Sequence, residues 1–329
     1  VDIQLFRPAI DTKGLFTLDA VQPLAHLALS LRSNLSYAYR PLVLSGNPQG
    51  GTWCSDGTSN CQFGDATYQF SRYRVDHLVT GHLGGAIGLF KRFEIGFGFP
   101  IAFWRGSTEP SPTLGDAPLE LGRTSALGLG DPMLHLKAKF VGEPRFGVAL
   151  GSRLTVAFPL GRDDAFLGSG RFRVTPVLLA ERHFWRRRIQ LLLNVGGHFR
   201  FGGETEPWVD QRQCPLPGTG ALAECGTGRT LETTHHLFYG AGIGITVVRR
   251  RLEFIAEFNG QSGFNGLFDL DPEGPLVSAH EVLAGLRLRF MRRTFFEAGV
   301  GMGLNGGDQN VQYGSPRFRA YFGLSIEAT

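Results

Sequence analysis

No run of 18 or more consecutive apolar residues occurs anywhere in the 329-residue chain, so it offers no candidate transmembrane helix. Charge is sparse, at 19% of residues, with a net charge of only +4. Without a basic helix or an RNP-like aromatic stripe, that surplus gives no ground for a nucleic-acid partner. Catalytic signatures are missing too. His235-His236 lies at a loop–strand boundary and His77 follows Asp76, neither in an H-x-S or G-x-S-x-G context. The GLGD at Gly128–Asp131 lacks the lysine and following helix of a phosphate loop. With no legible triad or ligand set, no enzyme activity, cofactor or metal is expected. No signal peptide precedes Val1, which leads to the expectation of a mature or trimmed chain whose export is inferred.

Glycine is abundant, at 46 residues, and phenylalanine, at 27, outnumbers tyrosine, at 7. Mean hydropathy is −0.05. A value near zero suits a chain in which lipid-facing and lumen-facing residues alternate and average out. That alternation is the dominant signal. In FEIGFGFPIAF, Phe93, Ile95, Phe97, Phe99, Ile101 and Phe103 share one face, against Glu94, Gly96, Gly98, Pro100 and Ala102. The same grammar recurs around Leu27–Tyr39, Leu83–Leu89, Leu134–Phe140, Phe146–Phe158, Phe172–Leu178 and Ile189–Phe199. It continues through Leu237–Val247, Leu252–Phe258, Val282–Phe290, Phe296–Leu304 and Phe318–Ile326. The pattern predicts an all-β chain: a transmembrane, antiparallel, up-and-down β-barrel of about twelve strands, with fourteen as the alternative. Leu15–Ala20 is a candidate extra strand that would disturb the count. A soluble sandwich also alternates, but its strands usually stay near 5–6 residues.

Connections alternate between short basic turns and long polar loops at roughly 41–71, 105–130, 160–169, 202–233, 262–278 and 305–315. Outer-membrane barrels keep short turns on the periplasmic rim and long loops outside. The turns carry Lys91, Arg92, Arg186, Arg187, Arg188, Arg249, Arg250, Arg251, Arg292 and Arg293. Near inner-leaflet phosphates each is attracted by about 1 kcal/mol; solvated turns that pin barrel depth are the plainer use. Aromatics beside these turns, in the pairs Phe90 and Phe93, Phe140 and Phe146, Phe184 and Trp185, Phe290 and Phe295, suggest an interfacial girdle. The cysteines form two local pairs, Cys54/Cys61 and Cys214/Cys225, in long loops. Two small disulfide loops are the simplest of three connectivities and imply an oxidising compartment. The spacing argues against zinc.

On the face opposite the apolar one fall Arg32, Lys137, Lys139, Arg153, Arg171, Arg173, Arg200, Arg287, Arg289, Arg317 and Arg319, with Glu94, Glu181, Glu253, Glu257, Glu281 and Glu297. Such a charged lumen suits either an anion-biased pathway or an internal ion-pair network that fills a barrel below porin size, the favoured use. Residues 1–24 are expected as a periplasmic or lumen-inserted segment, and 25–329 as the barrel. A lumen blocked by side chains or by residues 1–20 would rule out a simple open pore.

Two stretches, LFRPAIDTKGLFTLDA at Leu5–Ala20 and LGLGDPMLHLKAKF at Leu127–Phe140, resemble the N-terminal barrels of OmpA-family proteins of the myxobacterial type. The resemblance implies a membrane anchor followed by a periplasmic peptidoglycan-binding domain; one such type is the partner of a cell-surface adhesin. The chain ends Glu327-Ala328-Thr329 rather than on a terminal aromatic, so a further domain is expected beyond residue 329, with any peptidoglycan contacts in it. The expected function is an outer-membrane anchor or scaffold with outer-membrane lipids around it. Its loops would meet an extracellular adhesin or surface protein, supporting cell–cell recognition and outer-membrane exchange. A small-solute pore or transporter is the alternative.

Overall fold

Long alternating segments separated by turn-formers can satisfy their backbone in a bilayer only by pairing into a closed sheet. That is the architecture of the computed structural model, which describes residues 6–44, 73–108, 125–142, 147–161, 167–201, 211–215, 222–226, 235–249, 251–263, 278–291, 293–304, 311–313 and 315–328. The strands are β1 (Leu29–Leu44), β2 (Tyr73–Leu89), β3 (Phe93–Thr108), β4 (Ser125–Leu129), β5 (Met133–Val141), β6 (Ala149–Ala157), β7 (Phe172–Phe184) and β8 (Ile189–Phe201). Then come β9 (Gln211–Pro215), β10 (Leu222–Gly226), β11 (His236–Val248), β12 (Leu252–Gly263), β13 (Ser278–Met291), β14 (Thr294–Gly303), β15 (Val311–Tyr313) and β16 (Phe318–Ala328). Each neighbour is antiparallel, and β1 pairs with both β2 and β16, so the sheet closes without an edge. The result is a closed barrel of 12 spanning strands.

Four short strands, β4, β9, β10 and β15, account for the difference between sixteen strands and twelve spans. β4 and β5 pair successive stretches of β3, Ile101–Arg105 and Phe93–Gly98, and so make one span. The break between them is Gly130-Asp131-Pro132, where proline supplies no N–H to the ladder. The Asp131 carboxylate accepts hydrogen bonds from the backbone of Gly161 (3.0 Å) and Ser169 (2.8 Å) and from the Ser169 hydroxyl (2.6 Å). The GLGD stretch thus marks a strand break that anchors the next loop. β15 pairs with the upper end of β1, beyond the stretch that β16 pairs. β9 and β10 form a separate hairpin. Its register sets Cys214 opposite Ala223 and Cys225 opposite Arg212; Cys54 and Cys61 lie outside the described residues.

The outer face is apolar and uncovered. On β3 alone Phe93, Ile95, Phe97, Phe99, Ile101 and Phe103 are each between 40% and 48% exposed. An apolar band continued round every strand is intolerable in water and is what a lipid environment requires. Phe97 sits four residues above the β2–β3 turn, about 10 Å into the band. Phe97→Arg is expected to destabilise the barrel by about 2–4 kcal/mol, the cost of a midplane arginine, measured by urea unfolding in lipid vesicles.

The turn aromatics Phe90, Phe93, Phe140, Trp185 and Phe290 are exposed at the rim, as a girdle requires. Phe295 departs from the expectation. It stands two residues from the inward Glu297, with Phe296 facing out between them; its ring is 8% exposed, and the Arg289 guanidinium lies 4.8 Å above it. Phe146 lies outside the described residues. Two turns use left-handed backbone without glycine: Phe90 and Lys91 (φ 52° and 58°), and Trp185 to Arg187 (φ 46°, 54° and 63°). Two consecutive positive φ values are the geometry of a tight type I′ hairpin turn.

Candidate functional site

The interior is occupied by the chain's own N-terminal segment. Residues 6–28 form no strand, so Leu15–Ala20 adds none to the barrel. Pro8, Gly14 and Pro23 punctuate the segment, and it folds on itself: Ala9 N–H donates to Phe16 O (2.9 Å), Leu15 N–H to Leu18 O (2.8 Å), and Ile10 N–H to the Asp19 carboxylate (2.9 Å). Its apolar side chains pack against the few apolar residues of the inner wall. Phe6, Leu15, Phe16, Leu18 and Ala20 meet Leu192, Ile255, Leu283 and Tyr321. Val21 packs with Ala149, Val177 and Leu179, and Leu24 shares a cluster with Ile10 and Ala86. Each fully buried Leu or Phe contributes about 1.5–3 kcal/mol.

Inward glycines make room for it. A Cβ on Gly242 would come within 2.8 Å of Leu15 and Leu18, and one on Gly88 within 2.2 Å of the Ala25 carbonyl, where the segment leaves the lumen. The contact at Gly88 is with backbone, which cannot swing aside. Gly88→Val should therefore unseat the exit of the segment, read as faster cleavage of residues 20–28 by protease in detergent micelles; an unchanged cleavage rate would contradict the placement.

A polar clamp supplies the hydrogen bonds that an irregular backbone inside a barrel must find. Three strand glutamates accept N–H groups in chain order. Glu257 takes Phe16 (2.6 Å) and Thr17 (3.1 Å), Glu181 takes Val21 (2.9 Å) and Gln22 (3.1 Å), and Glu94 takes Leu24 (2.8 Å). Two strand arginines donate to carbonyls: Arg32 to Ala9 and Asp11 (3.0 Å each), and Arg287 to Gly14 (2.5 Å). Charged side chains of the segment are paired as well. Lys137 holds Asp11 and lies 3.2 Å from Glu94, Arg153 holds Asp19, and Lys13 reaches Glu327 at 3.0 Å. Below the segment Glu297 accepts from Arg32 (2.5 Å), Arg287 (2.7 Å) and the Tyr321 hydroxyl (2.6 Å). Arg287 also pairs with Glu253 at 3.2 Å, and Arg319 with Glu281 at 2.5 Å. Burial alone would raise the Asp11 carboxyl, but the adjacent Lys137 ammonium and its hydrogen bonds hold it below the ordinary aspartate value.

The charged inner face is therefore drawn into a clamp and does not line an open path. Several members sit apart from it. Lys139 donates to the Gln22 side chain (2.5 Å) at the rim. Arg317 precedes β16 and is exposed, Arg171 precedes β7, and Arg173 and Arg200 lie on β7 and β8 above the segment. Of the turn cations Lys91, Arg92, Arg186, Arg187, Arg188, Arg249, Arg251 and Arg293 are exposed; Arg250 and Arg292 lie outside the described residues.

The segment is joined to β1 at the short-turn rim, so it enters from the periplasmic side, and Glu94 and Glu181 grip it near that rim. On its outward side a cavity remains, with about 50 Å³ open to the centres of water molecules. Residues from the segment and from seven different spans face it, among them Arg7, His82, His135, Arg153 and His198. Pattern reading did not assign Arg7, Asp11, Asp19 or the histidines to a site. The available signal was the run of inward glycines on β11 and β14, which leaves space that something has to fill.

No family model matches the chain, and no curated protein matches it in sequence. Among solved structures it is similar to an outer membrane channel from Pseudomonas putida F1, with a TM-score of 0.54 at 13% identity over 93% of this chain and 97% of that one. The NanC porin gives a TM-score of 0.44 at 8% identity, over 92% and 99% of the two chains. The CymD monoaromatic hydrocarbon channel gives 0.41 at 9% identity, over 93% and 89%. At these identities the likeness is one of fold, and the fold is that of an integral outer-membrane β-barrel.

Proposed function

We propose that the protein is an outer-membrane channel for small polar solutes, held closed by its own N-terminal segment. One observation carries this reading. The obstruction is a single non-strand segment joined to β1, and beside its apolar packing it is held by hydrogen bonds and ion pairs that water can replace one by one. The barrel wall closes by itself through β1 and β16, so it does not depend on the segment for its ladder. A simple open pore is excluded by the same segment. The similar fold of a known outer membrane channel supports the reading. Planar-bilayer recording tests it. The full chain should show rare, brief openings, and a variant lacking residues 1–24 steady ohmic conductance. A deletion variant that keeps the heat-modifiable gel mobility of a folded barrel yet does not conduct would overturn it.

The filled lumen also favours a second reading: an anchor or scaffold of the OmpA-family type. Loops 41–71 and 202–233, tied by Cys54–Cys61 and Cys214–Cys225 disulfides, would meet a surface partner, and a domain beyond residue 329 would meet the cell wall. Under it, deleting residues 1–24 yields no conductance, whereas deleting either loop abolishes cell–cell adhesion. Adhesion that survives both loop deletions would argue against it.

A further inference from the structure

Above the N-terminal segment, the ionised side chains that line the cavity are all of one sign: Arg7, Arg32 and Arg153, with no carboxylate among the lining residues. Arg32 and Arg153 have acidic partners, Glu297 and Asp19, but neither of these reaches the cavity. The cavity wall therefore carries guanidinium donors, while the Glu297 and Asp19 carboxylates stand outside it. Two histidines are held in fixed orientation by threonine hydroxyls: His135 Nδ1 lies 2.8 Å from Thr155 Oγ1, and His198 Nδ1 2.8 Å from Thr175 Oγ1. When the hydroxyl donates to Nδ1, the opposite ring nitrogen carries the proton and becomes a donor itself. For His135 that nitrogen points toward Gly98, a lining residue, and would lie 3.5 Å from a Cβ placed there. A water needs roughly 10–15 Å³ of such space, so the cavity has room for about four waters, or for an anion of a few heavy atoms.

We propose that this cavity is a binding site for a small carboxylate, with the guanidinium groups of Arg7, Arg32 and Arg153 as its charge contacts and the His135 and His198 rings as flanking donors. A planar guanidinium matches a carboxylate with two parallel hydrogen bonds. Because Arg7 belongs to the N-terminal segment, the bound anion touches both plug and wall. The proposal deepens the channel reading by naming the class of solute, and it rests on that reading only for the step of transport.

Saturation-transfer NMR on the full chain in detergent, in chloride-free buffer, tests it with acetate and with acetamide as the uncharged isostere. Acetate should bind saturably and acetamide should not. Arg7→Gln should weaken acetate binding at least about tenfold, the loss of one charged hydrogen-bonding group. His198→Leu, which leaves the plug untouched, should weaken it too and serves if Arg7→Gln disturbs folding. Equal behaviour of acetate and acetamide, or acetate binding unaltered in both variants, would overturn the site. Acetate binding together with a silent 1–24 deletion would retire the channel and keep the site; conductance without acetate binding would do the reverse.

Discussion

Glu297→Leu is expected to release the N-terminal segment and raise open probability in bilayers by roughly a hundredfold or more. Glu297 is 1% exposed and is shared by two buried cations, Arg32 and Arg287, and by the Tyr321 hydroxyl. Leucine leaves two guanidinium groups facing each other without the carboxylate that separates them, and only Arg287 keeps another acid, Glu253. Removing one member of a buried ion pair costs about 3–5 kcal/mol, because the remaining charge stays desolvated. Each 1.4 kcal/mol is a factor of ten in an equilibrium. The strain is relieved when Arg32 gives up its bonds to Ala9 and Asp11 and water enters, so the cost is borne by the seated state. Glu297→Gln, which keeps an acceptor without the charge, should fall between the two. A Glu297→Leu protein with wild-type conductance and wild-type urea midpoint would show that this cluster does not hold the plug.

The barrel was largely legible in the sequence because its cause is local. Lipid outside and polar lumen inside impose a period of two, and the described spans follow it apart from local register shifts such as that between Tyr39 and Leu42. The departures are also physical. β4 and β5 read as one strand plus a loop because Gly130-Asp131-Pro132 breaks the ladder in mid-span. Phe295 reads as a rim aromatic by its place beside a turn, yet it lies two residues from Glu297 and shares that residue's inward face. The N-terminal segment was the harder case. Its apolar residues, Leu15, Phe16 and Leu18, have no regular period, and what they pack against, Leu192, Ile255, Leu283 and Tyr321, comes from four different strands. Alternation gives the direction in which Glu181 or Glu257 points; it does not reveal that their partners are backbone N–H groups at residues 16, 17, 21 and 22. Those contacts span 159 or more positions in sequence, and only the closed barrel brings them together.

Lys137→Met makes the complementary test at the other side of the segment, with the charges reversed. Lys137 is fully buried, holds Asp11 and lies 3.2 Å from Glu94. Methionine fills a similar volume, so packing changes little, but two carboxylates remain against each other in a desolvated site. The expected cost is again about 3–5 kcal/mol, and conductance should rise accordingly. Adding Asp11→Asn should bring conductance back toward wild type, because one of the two uncompensated acids is then gone; no recovery would place the defect in packing instead. The same pair predicts a pH effect. Asp11 is held below its ordinary value of 3.8 in the seated state, so its stabilising contribution is complete above that value and is lost as pH falls through the lower, seated one. Wild-type openings should become frequent on acidification below about pH 4, whereas in the Asp11→Asn protein that part of the response should be absent.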